Sequence, residues 1–323
     1  MNFYFAPMEG ITGYIYRNAH HRYFPGMDQY FTPFIQPNQN QCLNSKELND
    51  VLPEHNKDVR LVPQILTNDA ALFINTSKKL QQMGYNEVNL NLGCPSKTVV
   101  TKLRGSGFLG EPELLRTFFE KIFSHLDLQI SVKTRIGLSD PEEFCDLLEI
   151  YNDFPIKELA IHPRLQTDYY KNTPNLEIFA QACRQSKNPL CYNGDLFTLP
   201  SIEQFSGRFP SVDSVMIGRG LLVNPALVMQ KKTGALPDKE RLRAFHDEIY
   251  IGYQSTMSGG KNVLFKMKEL WFYLIHSFAD SEKYAKKIKK AEKLTAYESI
   301  IDDLFSKCDL AFVPKTLPAD KPS

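Results

Sequence analysis

The sequence predicts a TIM barrel, a closed parallel (β/α)8 sheet, followed by a small C-terminal helical domain. Two observations predict the barrel: eight short β-prone runs recur before residue 218, and segments of helical periodicity lie between most of them. Strands that alternate with helices form βαβ units and hence a parallel sheet. A third observation predicts the helical domain, because no convincing strand follows residue 237.

The eight β-prone runs each end in polar or glycine-rich residues, and eight such units fit a closed barrel better than an open sheet. An open doubly wound sheet is further disfavoured, because APMEG follows the first run where a G-x-G-x-x-G turn would stand. Helical periodicity is clear at 70–83 and 111–126. The predicted strands are residues 3–6, 30–34, 61–65, 87–92, 129–134, 158–161, 189–192 and 214–217.

The chain divides into three predicted parts. Residues 1–236 form the barrel, residues 237–310 form the helical domain, and the proline-containing residues 311–323 are predicted to be a flexible tail. Three helices are predicted in the helical domain, at 238–254, 262–277 and 281–305.

The composition is that of an ordinary globular protein: of 323 residues, 42% are hydrophobic and 23% are charged. The net charge is +1, so an RNA-binding surface would need a local cluster of basic residues. The N-terminus has no basic region of a signal peptide, and no run approaches the ~18 apolar residues that cross a membrane. We expect a cytoplasmic protein without a membrane segment. The oligomeric state stays open, with a monomer favoured.

The six cysteines are scattered along the chain, and none forms a C-x-x-C pair. This spacing indicates neither a disulfide framework nor a metal site, and it is typical of a reducing compartment. We therefore expect no bound metal. The cysteines are Cys42, Cys94, Cys145, Cys183, Cys191 and Cys308.

Polar residues cluster at the predicted carboxyl ends of the strands, where TIM barrels carry their active sites. Four of these residues have an explicit structural alternative: Lys133 could reach solvent, His162 could be a hydrogen-bonded core histidine, Gln64 could cap a backbone group, and Cys94 could be a buried apolar residue. Lys133 and Arg135 on one strand face favour a site, because a buried charge is costly unless it is paired or faces a ligand. The residues at these ends are Met8, Glu9, Gln64, Asn91, Cys94, Lys133, Arg135, His162, Arg164, Asn193, Asp195 and Arg219.

Glycines follow the last two predicted strands, at Gly194, Gly218 and Gly220. This is where TIM barrels often bind phosphate, because backbone without a side chain can approach an anion closely. The pattern therefore predicts a phosphate-bearing cofactor.

Five motifs occur in order at the predicted strand ends: APMEG at 6–10, NLGCPSK at 91–97, VKTRIG at 132–137, NGD at 193–195 and VMIGRG at 215–220. Together they resemble the tRNA-dihydrouridine synthases. Each motif alone is weak, but five at matching strand ends are specific. The resemblance continues more weakly into a segment of the helical domain, FKMKELW at 265–271.

The resemblance implies FMN at the barrel mouth and NADPH or NADH as the electron donor. Cys94 would protonate C5 of a flipped-out uracil after the flavin delivers hydride to C6. Lys133 would lie beside the flavin, where a cation stabilises the reduced, anionic form. Asn91 and Arg135 would contact the uracil or its neighbouring backbone. The other implied cofactor contacts are Pro7, Met8, Glu9, Gln64, His162, Asn193, Gly194, Asp195, Gly218 and Arg219.

Three places depart from the family pattern. Pro163 and Leu165 interrupt a motif that is usually His-Gly-Arg-Thr, and Phe108 puts a bulky ring into a stretch that is often Gly-Ala-Leu. Gln36 stands where some members carry a base-contacting arginine. We expect these departures to affect substrate recognition rather than the chemistry.

The densest basic run is KYAKKIKKAEK at 283–293. At helical spacing most of its lysines share one face, which favours contact with RNA phosphates; a solvated helix face is the alternative. Lys268 and Trp271 on the preceding predicted helix favour RNA contact. The predicted tRNA contacts in this region are Lys266, Lys286, Lys289 and Lys290, with Lys283 and Lys293 completing the face.

Two other functions fit the sequence less well. A flavin barrel that acts on a free pyrimidine, of the dihydroorotate or dihydropyrimidine dehydrogenase type, would have no need of a lysine-rich helix. A non-catalytic RNA-binding barrel would have no need of Cys94, Lys133 and His162. The fold alone does not choose among these functions, because TIM barrels host many chemistries.

Overall fold

A computed structural model describes residues 1–312 of the chain, and its centre is one parallel sheet of nine short strands. The strands are β1 (Asn2–Phe5), β2 (Gln29–Phe31), β3 (Leu61–Val62), β4 (Gln64–Ile65), β5 (Glu87–Leu92), β6 (Gln129–Arg135), β7 (Leu159–His162), β8 (Leu190–Tyr192) and β9 (Ser214–Ile217).

Strands β3 and β4 are two parts of one barrel strand, separated only by Pro63. They stand at the two ends of the order β3-β2-β1-β9-β8-β7-β6-β5-β4, so the ring closes through the chain itself. Pro63 has no N–H to donate to the sheet, but its carbonyl accepts a hydrogen bond from the backbone of Asn89 at 2.9 Å. The predicted TIM barrel is confirmed, with its third strand in two parts.

Helices follow the strands around the outside of the barrel. Several begin at a capping side chain: Asp69, Asn175 and Thr198 each accept a hydrogen bond from a backbone N–H of the first turn that follows. The helices up to residue 233 are α1 (Tyr14–Tyr23), α2 (Ser45–Val51), α3 (Ala70–Gln82), α4 (Lys97–Val100), α5 (Pro112–His125), α6 (Glu143–Asn152), α7 (Leu176–Gln185), α8 (Leu199–Arg208), α9 (Arg219–Val223) and α10 (Leu227–Thr233).

The barrel interior contains a separate apolar cluster beneath the carboxyl ends of the strands. This cluster is distinct from the large core that lies between the sheet and the helices. It occupies part of the barrel interior and leaves the polar strand ends above it to form the mouth. Its members are Tyr4, Ala6, Phe31, Val62, Ala160, Cys191 and Met216.

Four helices follow the barrel, and the first of them packs against α1. The ring of Phe245 lies edge-on to Tyr16 at 5.5 Å and to Phe24 at 5.2 Å. Gly252 makes the approach possible, since a Cβ there would lie 2.6 Å from Cγ2 of Ile15. These helices are α11 (Lys239–Thr256), α12 (Gly260–Leu274), α13 (Glu282–Lys290) and α14 (Leu294–Lys307).

The prediction of one helix over 281–305 is wrong, because the chain breaks between α13 and α14. Ala291 is extended, with φ −61° and ψ 130°, and its side chain is buried. Its carbonyl accepts a hydrogen bond from Nζ of Lys268 at 2.6 Å, a tertiary contact that replaces the helical one. The break places Lys293 at the start of α14 and separates it from the lysines of α13.

The described residues carry no sign of a membrane segment or a metal cluster. None of the helices in residues 1–312 is both long and apolar enough to cross a bilayer. Within the same range no three His, Cys, Asp or Glu side chains converge as metal ligands would. Residues 313–323, most of the predicted tail, lie outside the described part of the chain.

Candidate active site

A cavity opens at the carboxyl ends of β1, β6, β7, β8 and β9, where a TIM barrel places its active site. Nine of the eleven predicted cofactor contacts line it, although they come from five different strand ends. The nine are Pro7, Met8, Lys133, His162, Asn193, Gly194, Asp195, Gly218 and Arg219.

Four basic side chains gather around this cavity. Lys133, Arg135, Arg164 and Arg219 all lie close enough to His162 to act on its charge. Asp195 joins two of them: Oδ2 lies 2.5 Å from Nη2 of Arg164, and Oδ1 lies 2.6 Å from Nη2 of Arg219. Lys133 and Arg219 line the cavity itself, so its electrostatic environment favours an anionic ligand.

Lys133 faces the cavity, and the surrounding side chains do little to stabilise its charge. Burial and the neighbouring Arg135 lower the pKa of Lys133 to about 8. In the described part of the chain its Nζ forms neither a hydrogen bond nor an ion pair, yet the side chain lines the cavity. An anion placed there would supply the missing partner and raise this pKa.

His162 is a neutral acceptor at the same mouth. Nε2 lies 2.9 Å from Nη1 of Arg164, and a guanidinium can only donate, so Nε2 must accept. Burial and then the surrounding positive charges hold the pKa of His162 well below its usual value. The ring therefore stays neutral and offers its Nδ1 proton as a donor.

Gly194 and Gly220 are required by the packing of the protein itself. A Cβ on Gly194 would lie 1.9 Å from the hydroxyl of Tyr192, and one on Gly220 would lie 2.0 Å from the carbonyl of Leu196. Both contacts exclude any side chain, whether or not a phosphate binds nearby. The glycine pattern is thus weaker evidence for a phosphate site than the cations are.

Cys94 lies on a loop that begins at the end of β5, and the backbone groups of this loop are held by hydrogen bonds. Oδ1 of Asn91 accepts from the N–H groups of Gly93 and Cys94, both at 3.0 Å. The Cys94 carbonyl accepts from the N–H of Ser106 at 3.1 Å and from its hydroxyl at 2.9 Å. Burial raises the pKa of the Cys94 thiol, so the thiol is protonated at neutral pH.

The mouth thus combines a protonated thiol on a fixed loop with a cationic cavity at the top of a TIM barrel. The dihydrouridine synthase family model matches residues 4–309 of the chain.

The chain belongs to the dihydrouridine synthase family.

Individual relatives agree with this assignment. The chain is 27% identical to tRNA-dihydrouridine synthase B of Vibrio parahaemolyticus, over 68% of this chain and 67% of that protein. It is 28% identical to tRNA-dihydrouridine(16) synthase of Pseudomonas syringae pv. tomato, over 70% of this chain and 73% of that protein. Among solved structures, the old yellow enzyme of Trypanosoma cruzi has a TM-score of 0.54 at 9% identity, covering 78% of this chain and 93% of that one; this likeness supports the fold alone.

Two predicted cofactor contacts of this synthase do not line the cavity. Gln64 is fully buried, and its amide donates to Asn89 at 2.8 Å and accepts from Asn91 at 2.7 Å. The Glu9 carboxylate points outward and pairs with Lys46 at 3.2 Å. Contact of either residue with a cofactor stays a prediction, and for Glu9 it would have to come from the backbone.

Two predicted substrate contacts are used mainly to shape the site. Asn91 fixes the Cys94 loop, as described above. Arg135 donates from Nε to the Gly93 carbonyl at 3.0 Å and from Nη1 to the Leu165 carbonyl at 2.7 Å. Arg135 therefore ties the Cys94 loop to the loop after β7, and its contact with a base stays a prediction.

The sequence argument missed Tyr170 and gave Arg164 no role. The Tyr170 ring lines the cavity and covers two cations, with the guanidinium carbon of Arg219 at 4.3 Å and that of Arg135 at 5.4 Å. A tyrosine in a loop gives no local signal of such a position. The sequence places Arg164 at the end of a predicted strand, but it gives no role to the side chain there.

The departures from the family pattern have ordinary structural roles. Phe108 is buried and packs edge-on against Phe118 at 5.5 Å. Pro163 and Leu165 offer their carbonyls to Asn175 and Arg135. Gln36 is exposed and donates its backbone N–H to Glu47 at 2.8 Å.

The predicted RNA-binding residues fall into two groups. Lys286, Lys289 and Lys290 on α13 are exposed, and in residues 1–312 none of them forms an ion pair. Lys266 instead donates to the Gly10 carbonyl at 2.7 Å and to Glu269 at 2.9 Å.

Lys268 and Trp271 are also turned inward. Lys268 holds the Ala291 carbonyl, and the indole N–H of Trp271 donates to the Tyr297 hydroxyl at 2.7 Å. The argument that these residues favour an RNA-binding surface is therefore wrong, because the polar groups of both side chains form hydrogen bonds with other residues of the C-terminal helices.

Proposed function

We propose that this protein reduces a uridine of tRNA to 5,6-dihydrouridine, with FMN as its bound cofactor and NADPH or NADH as the electron donor. The observation that carries the proposal is the cationic cavity at the barrel mouth, near a half-buried, protonated Cys94 thiol. Membership of the dihydrouridine synthase family supports it independently.

The residues at the mouth fit FMN. A flavin phosphate is an anion, and Arg219, Gly218 and Gly194 lie on the part of the cavity formed after β8 and β9. Within residues 1–312 the ammonium of Lys133 has no hydrogen-bond or ion-pair partner, which suits the ring edge that becomes negative on reduction. When bound, FMN would supply the hydride that the amino-acid side chains cannot.

Asp195 is assigned a supporting role in this proposal. Its carboxylate would repel a phosphate, but it holds Arg164 and Arg219 in place through two short ion pairs. Arg164 in turn fixes the acceptor nitrogen of His162. Asp195 therefore orients the donors that contact the cofactor.

Cys94 is the proposed proton donor to C5 of the uracil. A general acid must hold its proton until the transition state, and the raised pKa of the Cys94 thiol keeps it protonated. The Cys94 N–H donates to Asn91 and the Cys94 carbonyl accepts from Ser106, and these bonds fix the loop, so the thiol does not have to be ordered during the reaction.

The exposed lysines of α13 are the proposed contact to the tRNA backbone. Phosphate contacts need cations that are accessible and not already paired, and Lys286, Lys289 and Lys290 meet both conditions in the part of the protein that the structure describes. This surface favours tRNA over a free pyrimidine, which would not reach it.

The decisive experiment supplies purified protein with NADPH and tRNA that lacks dihydrouridine, and measures dihydrouridine by mass spectrometry. Cys94→Ala should keep its flavin and its NADPH oxidation, while dihydrouridine formation falls about 10²- to 10⁴-fold, the usual contribution of a general acid. Full activity of this variant would refute the assignment of Cys94. Reduction of free uracil but not of tRNA would favour the small-molecule alternative.

A further inference from the structure

A chain of hydrogen bonds runs through the barrel from the Cys94 loop down to the opposite end of β5. Alternate residues of a strand point to the same face, so residues 87, 89 and 91 of β5 share one side. The upper part of the chain is already described: Gly93 and Cys94 donate to Asn91, and Nδ2 of Asn91 donates to Oε1 of Gln64 at 2.7 Å.

The lower part continues in the same direction. Nε2 of Gln64 donates to Oδ1 of Asn89 at 2.8 Å, and Nδ2 of Asn89 donates to the Ser131 hydroxyl at 3.0 Å. Ser131 donates in turn to Oε1 of Glu87 at 2.8 Å. Glu87 ends the chain and is paired with Lys157.

The direction of this chain is fixed at both of its ends. The backbone N–H groups of Gly93 and Cys94 can only donate, and the carboxylate of Glu87 can only accept. Each amide between them must therefore point its oxygen towards Cys94 and its NH₂ group towards Glu87. A reversed Gln64 would set its NH₂ group against that of Asn91.

Burial makes this arrangement hard to replace. Asn89 is 1% exposed and Gln64 is fully buried, so bulk water cannot take over a lost partner. Reversing one amide in such a site leaves unsatisfied donors or forces the next amide to reverse as well. The last amide to reverse would be Asn91, which would then present NH₂ to the two N–H groups of the Cys94 loop.

We propose that Asn89 and Ser131 are positioning residues for Cys94: they fix the amide orientations of Gln64 and Asn91 and so hold the Cys94 loop. Neither residue lines the cavity, and each acts only through its neighbours. The proposal rests on the proposed function in one respect, namely that Cys94 is the proton donor.

Three substitutions and one control variant test this chain of hydrogen bonds. Asn89→Leu keeps a similar shape but removes both hydrogen-bonding groups, and Ser131→Ala removes the acceptor of Asn89. Asn89→Asp should preserve the network in its protonated form, because its carbonyl oxygen accepts from Gln64 and its O–H donates to the Ser131 hydroxyl. Ser214→Ala is the matched control: Ser214 is 3% exposed and its hydroxyl donates to Tyr4 at 3.2 Å, outside the chain that leads to Cys94.

Two measurements are made on each variant. The first compares the rate of flavin reduction by NADPH with the rate at which the pre-reduced enzyme reduces uridine in tRNA. The second measures the alkylation rate of Cys94 by iodoacetamide in the protein alone, by mass spectrometry of the Cys94 peptide. The second does not require any catalytic activity.

In Asn89→Leu and Ser131→Ala, uridine reduction should fall about tenfold while flavin reduction is unchanged, the order expected for one buried hydrogen bond. Alkylation of Cys94 should become faster as the loop loosens. Asn89→Asp and Ser214→Ala should match the wild type in both measurements.

Equal slowing of both half-reactions, loss of flavin, or unchanged Cys94 alkylation in both Asn89→Leu and Ser131→Ala would overturn the proposal. If Asn89→Leu does not fold, Ser131→Ala decides. A wild-type protein that reduces no uridine would instead refute the proposed function. The alkylation rates would still decide whether this chain of hydrogen bonds fixes the Cys94 loop.

Discussion

Lys133 in the barrel mouth and the lysines of α13 carry the same ammonium group in opposite surroundings. Burial and Arg135 lower the pKa of Lys133 to about 8, whereas Lys286, Lys289 and Lys290 are exposed to solvent. A buried ammonium gains most from one fixed anion that replaces its lost hydration, while an exposed one acts through a screened, long-range field. The same residue type thus suits a specific cofactor in one region and an extended polyanion in the other.

The largest effect is expected for loss of the half-buried charge at the barrel mouth. Lys133→Met should weaken FMN binding about 10- to 100-fold, the range for a hydrogen bond to a charged group. Titration of the apoprotein with FMN, followed by flavin fluorescence, measures it. Lys286→Met is the control and should bind FMN normally. Equal FMN affinity in Lys133→Met and the wild type would show that Lys133 contributes no more to FMN binding than an exposed lysine of α13 does.

The exposed lysines should respond to salt instead. Lys286→Gln, Lys289→Gln and Lys290→Gln together should weaken tRNA binding about tenfold and reduce the slope of log K against log [salt] by up to ~3. Filter binding at several salt concentrations measures both. A matched triple change on the barrel helices, Lys78→Gln, Lys79→Gln and Lys121→Gln, should leave the slope unchanged. An equal change of slope in both triple variants would show that α13 has no special role.

The half-buried lysine should also destabilise the protein when no anion is bound. Its folded pKa of about 8 lies below the ~10.4 of an unfolded lysine, so the unfolded chain binds more protons between these values. The stability of the wild-type apoprotein should therefore rise with pH from ~8 to ~10, and the full destabilisation remains below pH ~8.

Lys133→Met removes that destabilisation. At pH 7 the apo variant should be more stable than the wild type by up to about 3 kcal/mol, and this difference should shrink above pH ~8. Urea unfolding of apoprotein at pH 7 and pH 9.5 tests it, with Lys286→Met as the exposed counterpart that shows no such trend. An apo variant that is less stable than the wild type at pH 7 would contradict the assigned pKa.

The smallest effect is expected for Lys266, which the sequence grouped with the RNA-binding lysines. Its ammonium joins α12 to the Gly10 carbonyl in the loop after β1. Lys266→Met should lower stability by about 1 kcal/mol and leave the salt dependence of tRNA binding unchanged. Thermal unfolding and the binding assay above separate the two outcomes. A lower salt slope at unchanged stability would return Lys266 to the RNA-binding surface.

The sequence by itself determined the fold class and the rim on which the site lies. Strand and helix periodicity are local properties, and a parallel barrel brings every carboxyl end to the same rim. Nine predicted cofactor contacts from five strand ends therefore line one cavity.

Only the tertiary structure decided which polar groups already have a hydrogen-bond or ion-pair partner within the protein. Lys266 binds a carbonyl 256 residues away, and Asp195 pairs with two arginines. Ala291 lies outside the helices, where its carbonyl accepts a hydrogen bond from Lys268. The orientation of the Asn89 and Gln64 amides likewise depends on partners in other strands. Such pairings follow from the distances between folded elements, which no local pattern of residue types contains.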